Sequence, residues 1–82
     1  SNPAALAPPA KFTALCLACH KLNGKGNTVG PALDTVGSKF DQAYIEKWLT
    51  DPQAVKPGTA MPKLPLSPLE VKEISAFLAA LK

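Results

Sequence analysis

Cys16 and Cys19 stand three residues apart and are followed at once by His20. The run Cys16-Leu17-Ala18-Cys19-His20 is the C-x-x-C-H signature of covalent c-type haem attachment. Each thiol can add across one haem vinyl group to form a thioether, and the adjacent imidazole then sits beneath the iron as its proximal ligand. A short chain tied to a large flat macrocycle at neighbouring residues is expected to wrap round it.

Other uses of the pair explain less. A thioredoxin-like redox motif belongs near a βαβ pattern, and no alternating strands surround this one. A structural disulfide would close a very short loop and leave His20 without a role. A zinc site would need a fourth ligand, and the chain has no second histidine and no third cysteine.

Eighty-two residues are expected to form a single domain, 1–82. A chain of this size buries only about 60% of its unfolded surface, so its core is marginal without added apolar mass. Hydrophobic residues make up 46% of the sequence but aromatic ones only 6%, which suits a small all-α shell around a cofactor. Nine lysines, no arginine and six acids give a net charge of +3, without the dense basic run that nucleic-acid binding requires. No apolar run approaches the roughly 18 residues of a membrane span, and no signal peptide is recognisable. A chain beginning Ser1-Asn2-Pro3-Ala4 is expected to be a processed mature form or a piece excised from a longer protein.

Ser1 to Ala7 reads as a loose lead-in. Pro8 and Pro9 are expected to open a helix in which Phe12, Leu15, Cys16 and Cys19 share a face. Lys21 to Gly30 has turn chemistry and reads as loop, with no strand expected. Pro31 to Val36 is expected to make one turn ended by Gly37. Asp41 is a candidate N-cap for a helix carrying Tyr44, Ile45, Trp48 and Leu49 on one stripe, which Pro52 ends near Thr50 or Asp51. Five prolines from Pro52 to Pro68 inclusive make a stiff irregular segment that holds Met61, the sole methionine. Ser67-Pro68-Leu69-Glu70 is a complete capping box, and Leu66 with Val71 can add a hydrophobic staple. Val71, Ile74, Phe77, Leu78 and Leu81 follow at helical spacing.

With a haem present and no second histidine, Met61 is the natural sixth ligand, lysine ligation or an open sixth position being the alternatives. Closure of both axial positions leaves the iron nowhere to bind substrate, so its remaining chemistry is the gain and loss of one electron. A thioether opposite imidazole in an apolar pocket also favours ferrous iron, and so a fairly positive potential.

The order of landmarks resembles the small bacterial class I cytochromes c over nearly the whole chain. The resemblance is carried by Phe12, Cys16-Leu17-Ala18-Cys19-His20, Gly30-Pro31-Ala32-Leu33, Trp48-Leu49-Thr50-Asp51-Pro52, Pro57-Gly58-Thr59-Ala60-Met61-Pro62 and the Ile74 to Leu78 stretch. It implies a cytochrome c fold in which three to four short helices wrap one haem c, the first and last crossing near Phe12 and Phe77. It implies axial ligation by His20 and Met61, and a Pro31 carbonyl that accepts the Nδ1 hydrogen of His20. Trp48 and Thr59 read either as polar neighbours of the haem or as ordinary packing. Compared with mitochondrial members the chain is shorter between Asp34 and Asp41, and Pro8 stands where a small residue is common.

The resemblance further implies a periplasmic electron carrier, not an enzyme, that works between respiratory or other redox partners. Lys21, Lys25, Lys56 and Lys63 are expected near one rim of the haem crevice, facing an acidic docking patch on a partner. The alternatives are a haem domain cut from a larger oxidoreductase or oxidase, and a small haem peroxidase. Against the latter, the chain has no distal histidine or arginine to assist peroxide cleavage.

Overall fold

The computed structural model describes residues 7–82, so all but the last residue of the expected lead-in, 1–7, lies outside the described residues. Among the described residues the chain runs through helix α1 (Ala10–Leu15) and a ribbon of β1 (Lys21–Leu22) and β2 (Lys25–Gly26). A 3-10 turn (Val36–Ser38) follows, then helices α2 (Gln42–Thr50), α3 (Pro52–Val55) and α4 (Pro68–Ala79).

Side-chain caps fix where the longer helices start. Asp41 Oδ1 accepts the Tyr44 N–H at 2.8 Å and begins α2. Asp51 closes α2, and its side chain accepts the Ala54 N–H at 3.3 Å to open α3, with Pro52 at the first helical position. The capping box of α4 is complete: Ser67 Oγ accepts the Glu70 N–H at 3.1 Å and Glu70 Oε1 accepts the Ser67 N–H at 2.8 Å. The Ser67 N–H holds the Glu70 carboxyl below its ordinary value, assisted by the Lys11 ammonium 3.9 Å away.

Helix α4 is the scaffold on which the rest packs. Val71, Ile74, Phe77 and Leu78 are buried along one face, and Leu81 continues the stripe beyond the helix end. Ile45 and Leu49 of α2 meet that face, and the α2–α4 packing is the most extensive between any two elements. Helix α1 crosses α4 where the Phe12 and Phe77 rings stand 5.2 Å apart, tilted by 60°. The 3-10 turn is stitched to the end of the chain by the Gly37 N–H, which donates to Leu81 O at 2.7 Å. A Cβ at Gly37 would lie 2.8 Å from that same oxygen, so the close approach requires glycine.

The segment read as loop contains an antiparallel ribbon, pairing Lys21 with Gly26 and Leu22 with Lys25. Its turn residues, Asn23 and Gly24, have φ of 50° and 81°, the left-handed pair that a two-residue hairpin demands. Helix α1 begins after both prolines, because Pro9 has an extended ψ of 147° and stands as the N-cap. Helical turn then comes at Val36–Ser38 with Gly37 inside it, one turn later than expected.

Candidate haem-binding crevice

The C-x-x-C-H run leaves α1 in a tight coil, with the Cys19 and His20 N–H groups donating to Cys16 O at 3.1 and 2.9 Å. The ribbon then reverses the chain and lays residues 26–33 back over it. The Asn27 N–H donates to His20 O at 3.2 Å, Gly30 N–H to Cys19 O at 2.6 Å and Leu33 N–H to Lys21 O at 2.9 Å. Asn27 Nδ2 adds a bond to Ala18 O at 3.1 Å.

This returning segment brings Pro31 O within 2.7 Å of His20 Nδ1. A carbonyl can only accept, so Nδ1 carries a proton, and in the neutral ring Nε2 is then the nitrogen with the lone pair. Gly30 lies flat against the ring: a Cβ there would sit 2.7 Å from Nδ1 and 2.9 Å from Nε2. A side chain at position 30 would push the imidazole off its acceptor.

On the other side, Lys56-Pro57-Gly58-Thr59 forms a turn closed by Thr59 N–H to Lys56 O at 3.1 Å. Proline second and Gly58 third, at φ 86°, give the arrangement of a type II turn. Gln53 of α3 grips this turn, its Nε2 donating to Thr59 O at 2.6 Å and its Oε1 accepting the Gly58 N–H at 3.1 Å. Thr59 Oγ1 accepts the Met61 N–H at 3.4 Å, and the Trp48 indole N–H donates to Met61 Sδ at 2.8 Å.

Between these two walls the structure opens a crevice in two lobes of about 270 and 300 Å³, both lined by Cys16, His20, Trp48, Lys56 and Met61. The first lobe runs inward to Leu33, Ile45, Leu49 and Leu78, with the stacked rings of Phe40 and Tyr44, 4.6 Å apart, at its side. The second is lined by every residue singled out from the sequence: Cys16, Cys19, His20, Pro31, Trp48, Thr59 and Met61. No disulfide joins Cys16 and Cys19, and burial, with a smaller contribution from Cys19, pushes the Cys16 thiol up to about 11. An apolar slot with paired thiols at one edge, an imidazole with an available nitrogen and a thioether is a donor set that fits haem c.

The sequence pattern of the family described as Cytochrome c matches residues 9–82. The chain belongs to the cytochrome c family. It is a haem-based electron carrier, and its cofactor is covalently held haem c. This cytochrome c is 36% identical to a cytochrome c2 iso-2 of Magnetospirillum molischianum, over 90% of its own length and 97% of that protein. It is 33% identical to a cytochrome c2 iso-2 of Magnetospirillum fulvum, over 92% and 98% respectively. It is also 32% identical to a cytochrome c oxidase subunit 2 of Alkalihalophilus pseudofirmus (strain ATCC BAA-2126 / JCM 17055 / OF4), over 82% of its own length but only 22% of that longer protein. A crystal structure of SoxXA from P. pantotrophus shares the fold, with a TM-score of 0.70 over 84% of this chain and 72% of that one, at 22% identity.

The lysines are less gathered than the sequence suggests. Lys56 lines both lobes, and Lys21 and Lys25 lie on the ribbon below His20. Lys63 lines a separate cleft of about 490 Å³ between α2 and the start of α4. No helix among the described residues is long and apolar enough to cross a membrane. Sequence reasoning passed over Gln53, Asn27 and Phe40. Their positions depend on how loops close, and the one available signal was the run of turn residues around them.

Proposed function

We propose that His20 and Met61 are the two axial ligands and that Cys16 and Cys19 form the thioethers, in one domain that shuttles single electrons between redox proteins. The observation that carries this reading is that His20 and Met61 line both lobes of the same crevice. The haem supplies the one-electron couple. The Pro31 carbonyl orients the imidazole, Gly30 lets the backbone lie against it, and the leucines and Ile45 exclude water from the inner lobe. With protein side chains on both faces no coordination position is left for a substrate, so the chain has no catalytic activity of its own. Covalent attachment at a C-x-x-C-H motif supports a periplasmic location. Ferric protein should show the weak near-infrared band of a sulfur–iron bond, and Met61→Ala should lose it and bind exogenous ligands. Rapid carbon monoxide binding by the ferrous wild type would overturn the assignment.

Lys56 at the crevice, with Lys21 and Lys25 beyond it, supports docking onto an acidic partner patch, which ionic strength would weaken over a screening length of about 8 Å. Electron-transfer rates with a small anionic oxidant should fall with salt and those with a cationic oxidant should rise. Rates insensitive to salt would mean an apolar docking face. The similarity to an oxidase subunit over a fifth of its length favours a second reading, in which the chain is the haem domain of a longer protein. The mass of the native polypeptide isolated from its source distinguishes the two.

A further inference from the structure

Gln53 lies on an exposed position of the four-residue helix α3, yet both ends of its amide are engaged. Its Nε2 donates to Thr59 O at 2.6 Å and its Oε1 accepts the Gly58 N–H at 3.1 Å. A primary amide is the side chain that can serve a carbonyl and an N–H together, since it carries a donor and an acceptor side by side. The base from which it reaches is fixed: Pro52 is buried and Asp51 caps the helix. The turn it holds leads within two residues to Met61, whose own N–H meets Thr59 Oγ1 at 3.4 Å.

We propose that Gln53 is a positioning residue that latches the Met61 loop through the Gly58–Thr59 backbone and thereby sets how readily Met61 leaves the iron. The proposal rests on Met61 being the sixth ligand. Swinging Met61 away requires the loop to open, and opening it as a unit breaks both amide contacts. Two modest hydrogen bonds at an exposed site correspond to a change of about fivefold to thirtyfold in that opening equilibrium.

The test is imidazole titration of the ferric haem-loaded protein, followed in the visible and at the near-infrared sulfur–iron band, with guanidinium unfolding alongside. Absence of the band in the wild type would remove Met61 from the iron and so defeat the underlying assignment, whatever position 53 does. With the band present, Gln53→Ala should bind imidazole about fivefold to thirtyfold more tightly. Gln53→Glu keeps the acceptor for Gly58 but sets a carboxylate oxygen against the Thr59 carbonyl, and should also bind more tightly than wild type. Gln53→Ala with wild-type imidazole affinity overturns the latch. A lowered guanidinium midpoint beside unchanged affinity overturns it equally, since it would leave Gln53 a general structural role.

Discussion

The indole N–H of Trp48 donates to the sulfur of Met61 at 2.8 Å, joining residues 13 apart in sequence across the mouth of the crevice. With Met61 as the proposed axial ligand, a thioether that shares electron density with a donor would give less of it to ferric iron, so the contact would favour the reduced state. Trp48→Phe keeps most of the ring and removes the donor. The reduction potential should fall by about 20–60 mV, which is one hydrogen bond of about 0.5–1.5 kcal/mol expressed on the one-electron scale of about 59 mV per tenfold. Spectroelectrochemical titration measures it, and an unchanged or higher potential would show that the indole does not act on the sulfur in the loaded protein.

Gly30→Ala places a methyl group 2.7 Å from His20 Nδ1, against a ring held by its Pro31 acceptor. Overpacking of this kind costs about 1–3 kcal/mol. Guanidinium unfolding of the haem-loaded protein should show the loss, and a midpoint equal to wild type would mean that the loop relaxes freely.

The inner lobe of the crevice is lined by Leu33, Ile45, Leu49 and Leu78, apolar side chains that a haem would cover and that its loss would leave to water. The double variant Cys16→Ala, Cys19→Ala, unable to retain its cofactor covalently, should therefore lose most helical circular dichroism once haem is stripped. Native-like ellipticity in the stripped variant would refute this.

Glu70 contributes a pH dependence of definite sign. Its folded-state pKa lies below the ordinary value of 4.5, chiefly because the Ser67 N–H bonds the carboxylate. Its stabilisation is therefore fully present above that value and is lost as pH falls through the lower, folded one. Glu70→Gln should flatten the decline in urea midpoint in that acid range. Parallel pH profiles for variant and wild type would show that other carboxylates govern it.

The parts legible in the sequence are those set by neighbours along the chain. Ser67 with Glu70 and Asp41 with Tyr44 are caps whose partners lie three residues away, so side-chain chemistry alone locates the helix starts. The Val71 to Leu81 stripe follows from helical periodicity, and Cys16, Cys19 and His20 from spacing. The ribbon at Lys21–Gly26 escaped because strands of two residues carry no alternation, although Asn23-Gly24 is a hairpin turn pair. Phe12 against Phe77, Pro31 against His20 and Trp48 against Met61 depend on how distant segments fold together. The resemblance of motifs supplied the first two, and nothing local points to the third. Gln53 looked like any exposed polar residue because its partners are backbone groups of a turn not yet formed.

Asp51 is the last residue of one helix cap and the first of the next, with no spacer between α2 and α3. Trp48, which donates to Met61 Sδ, and Gln53, which holds the Gly58–Thr59 backbone, are thus mounted on a corner without slack. One residue inserted after Asp51 would separate the two caps that Asp51 now supplies alone and shift Gln53 away from Gly58. Natural or engineered length variation should therefore be tolerated in the stretch from Leu64 to Leu66 far better than at this corner, where chain length itself acts as the gauge that sets where Met61 enters the crevice.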